Sequence, residues 1–92
     1  MNKETAQRYA MDALLWLAKD NYYLNNFLIS SGANTHDLRL RSKDPEFLSF
    51  VLDYFMTSDD LILALSKDLK VSPEKVRTAR LVLSGRDLHH WT

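Results

Sequence analysis

The run Asp44-Pro-Glu-Phe-Leu-Ser-Phe-Val-Leu-Asp-Tyr-Phe-Met56 restricts what this chain can fold into more than any other stretch. On a helix, Phe47, Leu48, Phe50, Val51, Leu52, Tyr54, Phe55 and Met56 leave only Glu46, Ser49, Asp53 and Thr57 as a narrow polar seam. A helix that is apolar nearly all round is a buried one. Asp44 suits the N-cap, and Pro45 the first turn, where a missing N–H costs nothing. The expectation is a central helix over 44–57 wrapped by other helices. Phe50 and Leu52, on different sides of it, should both be fully buried.

The remaining segments supply the wrapping. Ala6, Tyr9, Ala10, Ala13, Leu14 and Leu17 recur at i, i+3, i+4 spacing and define a helix from Thr5 to Lys19. Asp20 can cap a second helix through Ser31, with Tyr23, Leu24, Phe27 and Leu28 on its apolar side and Gly32 as a left-handed terminator. Asn34, with Asp37 three residues on, opens a short third helix carrying Leu38 and Leu40. Ser58 begins a fifth bearing Leu61, Ile62, Leu65 and Leu69, and its Asp59 and Asp60 sit where the helix dipole favours anions. Ser72-Pro73-Glu74 starts a sixth, with Val71 and Val76 at the positions of a hydrophobic staple and Gly85 as its stop.

A pattern repeats at an offset of 38 residues. Tyr9, Ala10, Ala13, Leu14, Trp16 and Leu17 fall on Phe47, Leu48, Val51, Leu52, Tyr54 and Phe55, and the caps Asp20 and Asn34 fall on Ser58 and Ser72. Either two similar layouts coincide or a three-helix unit is duplicated. Both give an all-α bundle of about six helices in two similar halves around 44–57. With 92 residues, 46% of them hydrophobic, the chain can build one core and not two, so residues 1–85 read as a single domain and 86–92 as a polar C-terminal tail.

Composition narrows the function classes. Twelve basic and twelve acidic residues cancel, so no overall charge pulls the chain toward nucleic acid or an anionic membrane. The absence of cysteine removes disulfides, thiol nucleophiles and cysteine metal sites. The polar N-terminus and the lack of a long apolar run predict a cytoplasmic protein without a membrane span.

The segment Leu65 to Arg80 resembles a DNA-binding helix-turn-helix in its spacing, with Lys75, Arg77 and Arg80 on the second helix. Against that, Lys70 stands where a turn glycine would adopt positive φ most cheaply, and the first half uses the same corner with acidic Asp37 on the following helix. A corner used twice is read here as packing geometry, with DNA binding through 65–80 as the alternative. His36 beside Asp37 points about 100° away from it on a helix. His89 and His90 lack a third ligand at suitable spacing, so no metal site is assigned. Two glycines build no phosphate-binding loop. No catalytic residue, cofactor or enzyme activity is therefore expected.

Ala10-x-x-Ala-Leu-x-Trp-Leu-Ala-x-Asp20, Phe27-Leu28 ahead of Gly32, Asp37-Leu-Arg39 and Asp44-Pro-Glu-Phe-Leu-x-x-Val-Leu-Asp53 resemble a family of small alphaproteobacterial proteins known as a domain of unknown function. The resemblance spans nearly the whole chain and implies an all-helical bacterial cytoplasmic protein. It carries no catalytic residues over. Lys70, where glycine is common, and the tail from Arg86 depart from the pattern.

The repeat also makes a claim about surface. Met11, Leu15, Tyr22 and Ile29 fall on Ser49, Asp53, Asp60 and Lys67, so apolar groups in one half replace polar groups in the other. Soluble monomers seldom leave such a stripe bare. The expected function is a small non-catalytic protein-interaction module, an adaptor or a homo-oligomer, binding through these four residues. Coverage by Leu88 and Trp91 of the tail is the other reading of the stripe.

Overall fold

The computed structural model describes residues 1–84, which form six helices and no strand: α1 (Lys3–Ala18), α2 (Asn21–Ser31), α3 (Thr35–Arg41), α4 (Pro45–Phe55), α5 (Asp59–Leu69) and α6 (Pro73–Ser84). The all-helical bundle read from the sequence is what the chain adopts. Every helix begins at a side chain that accepts hydrogen bonds from its own orphan N–H groups. Asp20 accepts from Tyr22 and Tyr23, Asp44 from Glu46, Ser58 from Leu61 and Ser72 from Lys75. Asn34 and Asp37 form a complete capping box. The cap of α1 is Asn2, whose side-chain oxygen accepts from Thr5 at 2.7 Å, so this helix starts two residues earlier than its apolar periodicity indicates.

The offset of 38 is matched in the secondary structure of the second and fifth helices. Asn21–Ser31 and Asp59–Leu69 correspond end to end, and the left-handed residues that close them, Gly32 (φ 71°) and Lys70 (φ 58°), correspond too. They end differently. The Gly32 N–H reaches back to the Leu28 carbonyl in a single αL-type bond, whereas Lys70 and Val71 donate to Lys67 and Ser66 in the paired bonds of a Schellman motif. The second bond of that motif holds Lys70 in a conformation that costs a non-glycine residue roughly 1–2 kcal/mol.

The core lies between α1, α4 and α6, which pack most closely on one another, with α2 and α5 as outer supports. Ala6, Ala10, Ala13, Leu14 and Leu17 face it from α1, Leu48, Val51, Leu52 and Phe55 from α4, and Val76, Ala79 and Leu83 from α6. α3 is peripheral and contributes Leu38 alone. Leu40 does not join it, because two residues along a helix turn the side chain by about 200°, and it is exposed.

The central helix differs from expectation in one respect. Leu52 is fully buried, but Phe50 is 38% exposed and Ser49 is buried. Glu46, Phe50, Asp53 and Thr57 share one face at i, i+4, i+7, i+11 spacing, so Phe50 lies within the solvent stripe, while Ser49, one turn before the half-buried Asp53, lies at the covered edge of it. Helix α4 is therefore one of three central helices, open along one side. A single long-range hydrogen bond ties α1 to α5: the Trp16 indole N–H donates to the Asp68 carboxylate at 2.6 Å.

Two stability outcomes follow from these placements. Leu52→Ala should cost roughly 2–5 kcal/mol, while Phe50→Ala should cost about 1 kcal/mol, mostly its ring contact with Phe27 at 6.0 Å; equal losses in urea unfolding would contradict the assigned faces. At the second corner, Lys70→Gly should relieve the αL strain and gain about 0.5–1 kcal/mol. Ser66→Ala should gain about 1 kcal/mol, because the Ser66 hydroxyl is buried without a hydrogen-bond partner. Each should raise Tm by a few degrees, at about 4–8 °C per kcal/mol for a domain of this size.

Candidate interaction surface

Helix α1 buries one side and leaves the other to solvent. Leu15, on the far side from Ala10 and Leu17, is 54% exposed, and Met11 one turn earlier is half-buried against the core. On α2 the only fully buried side chain is Phe27, flanked by half-buried Tyr23, Leu24 and Leu28. Tyr22 and Ile29 stand two turns apart on the opposite face, 70% and 81% exposed, with exposed Asn25 and Asn26 between them. Three of the four stripe residues are thus solvent-facing apolar groups, and Met11 is their inner edge. Their counterparts Asp60 and Lys67 are exposed and Asp53 is half-buried, but Ser49 is buried, so the Met11 position is a covered one in the second half.

Aromatic packing runs behind this surface. Phe27 contacts Phe47, Phe50 and Tyr54 at ring separations of 6.2, 6.0 and 5.1 Å. The run continues through Phe55 and Trp16 to Tyr23 and ends on Tyr22. It emerges at Phe50 on one end and Tyr22 on the other. Burial, and secondarily Tyr22, push the Tyr54 hydroxyl above its ordinary value. Periodicity marked each ring as apolar; which rings meet depends on how α1, α2 and α4 cross.

The three cations of the helix-turn-helix reading do not share a face. Arg80 is half-buried and its guanidinium is hydrogen-bonded to Asp53 on α4. Arg77 pairs with Glu74 in its own helix. Lys75 and Arg77 are exposed but project about 160° apart around α6, on either side of an outer ridge formed by Glu74 and Leu81. His36 is exposed, and the Asp37 carboxylate accepts from the Asn34 N–H at 3.2 Å, so its role is the cap. His89, His90, Leu88 and Trp91 lie outside the described residues.

Arg80→Ala should lower stability by up to about 1 kcal/mol, the upper range for a partly exposed ion pair, whereas Lys75→Ala should stay within about 0.5 kcal/mol of wild type. Thermal unfolding of the two variants checks this, and an inert Arg80→Ala would mean that the α4–α6 contact does not need the pair.

Neither a curated relative nor a solved structure matches the chain. A family model does, over residues 3–86, and its description is a protein of unknown function. The six helices, the two corners and the α1–α4–α6 core all fall within that match, and the chain belongs to the DUF3572 family.

Proposed function

We propose that this chain is a small non-catalytic protein-interaction module that associates through the outer faces of α1 and α2. The observation that carries the reading is the exposure of Leu15, Tyr22 and Ile29 at positions whose counterparts in the second half are Asp53, Asp60 and Lys67. Apolar groups held out on well-capped helices cost solubility and contribute nothing to the monomer's core, and contiguous exposed apolar area marks interaction sites. α2 is suited to the task because it is anchored mainly through Phe27, which leaves its other face free.

An alphaproteobacterial cytoplasm is the setting that the resemblance supports, and no helix among the described residues is long and apolar enough to cross a membrane. DNA binding through residues 65–80 has less support, because Arg80 is engaged with Asp53 and Arg77 with Glu74. A salt titration on mixed duplex DNA separates the two readings, since phosphate contacts lose affinity steeply as salt rises.

The direct test compares wild type with the double variant Leu15→Asp, Tyr22→Ser. The variant should keep the wild-type circular dichroism and Tm within a few degrees. Sedimentation and pull-down from the native cytoplasm should both show loss of the association that the wild type makes. A wild type that is monomeric and captures nothing, or a variant that still associates, would remove the reading.

A further inference from the structure

We infer that the outer face of α2 is an interface for a second copy of this chain, the two α2 helices lying antiparallel across a two-fold axis that passes between Asn25 and Asn26. The inference rests on the interaction reading above and names its partner. Charge supplies the first argument. Residues 21–36 contain no Asp, Glu, Lys or Arg, although 26% of the chain is charged, and no other uncharged run reaches half that length. Among the described helices α2 alone carries no charged side chain, yet more than half of its residues are exposed. A two-fold contact sets each group near the axis close to its own copy, so a charge placed there repels itself. A partner of different sequence is instead selected and steered by opposite charge, and this face offers none.

Spacing supplies the second. Buried Phe27 and half-buried Tyr23, Leu24 and Leu28 take the inner side of α2. Tyr22 and Ile29, seven residues apart, lie about 20° from each other at the middle of the opposite side, with Asn25 and Asn26 on either side of that line. These four positions are symmetric about the point between the two asparagines, as an antiparallel pair requires. Tyr22 then meets Ile29 of the second copy, Ile29 meets its Tyr22, and Asn25 meets its Asn26. An asparagine amide carries both donors and an acceptor, so the central pair is self-complementary. The Tyr22 ring already stands edge-on to Tyr23 at 5.6 Å, so less side-chain freedom is lost on association. Tyrosine present and charge absent is the composition of an interface core. A face one helix of about 16 Å long is at the small end of specific interfaces, so the dimer should be weak.

The test is sedimentation and light scattering of the full chain from about 10 µM to about 1 mM, a range that spans weak affinities. The mass should climb with concentration from the 10.7 kDa of one chain toward twice that value. Tyr22→Lys and Ile29→Glu should each raise the dissociation constant by about tenfold or more, with unchanged circular dichroism because both side chains are exposed. The chain carrying both substitutions should regain association, and added salt should weaken it. Antiparallel pairing sets the new ammonium of one copy against the new carboxylate of the other, whereas parallel pairing would set like charge on like. A mass of 10.7 kDa at every concentration, an Ile29→Glu chain that still dimerises, or a double variant that stays monomeric would overturn the inference. So would contacts from Trp91 to Ile29 within a monomer, which give the face to the tail. A monomeric wild type that nevertheless captures a cytoplasmic protein, and loses it with Leu15→Asp and Tyr22→Ser, keeps the interaction reading and removes the second copy.

Discussion

The close approach of α1 to α4 and α6 is what the rest of the molecule depends on. Ala6, Ala10 and Ala13 are completely buried along one side of α1, and Ala79 is completely buried on α6. Side chains this small let helix axes come near the lower end of the usual 8–10 Å spacing, and larger groups at those positions would force off-rotamer neighbours or backbone shifts. The bulk that fills the core comes instead from Leu14, Leu17, Val51, Leu52, Phe55, Val76 and Leu83. α2 and α5 can only be outer supports once this trio is assembled.

That arrangement explains why one half of the chain carries a bare apolar face. α5 places Ile62, Leu65 and Ser66 in the interior, whereas α2 places only Phe27 there and is held through the rings of Phe47, Phe50 and Tyr54. A helix anchored by one buried aromatic side chain keeps most of its circumference free. In the repeated layout the second half spends its equivalent positions on charge, with Asp53 paired to Arg80, while the first half has an exposed Leu15. The two halves share the ends of α2 and α5 and a set of core positions, and they differ on their surfaces.

The corners show the same division between shared geometry and separate chemistry. Both need a left-handed residue after an eleven-residue helix. Gly32 meets that need without a Cβ, and Lys70 meets it through the extra Schellman bond from Val71. The positive φ at Lys70 lies at the start of the three-residue link to α6, where Val76 is buried.

Local chemistry was enough to determine helix number, most helix ends, the two corners and the core positions shared by the halves, because caps, αL terminators and 3.6-residue periodicity act within a few residues. Asn2 carried the same capping signal for α1. Tertiary structure alone decided which side of α4 stays wet. With apolar groups nearly all round that helix, periodicity has no preferred direction, and only the positions of α1, α2 and α6 place Phe50 outside and Ser49 inside. It likewise decided that Arg80 serves Asp53 and that Trp16 donates to Asp68, contacts that span 27 and 52 residues and exist only once helix crossings are set. The stripe of Leu15, Tyr22 and Ile29 was legible because comparing two halves of one sequence reveals where polarity changes; the depression beside Met11 was not, because it brings Arg8 and Met11 of α1 beside Ser42, Lys43 and Leu48, which are distant in the chain.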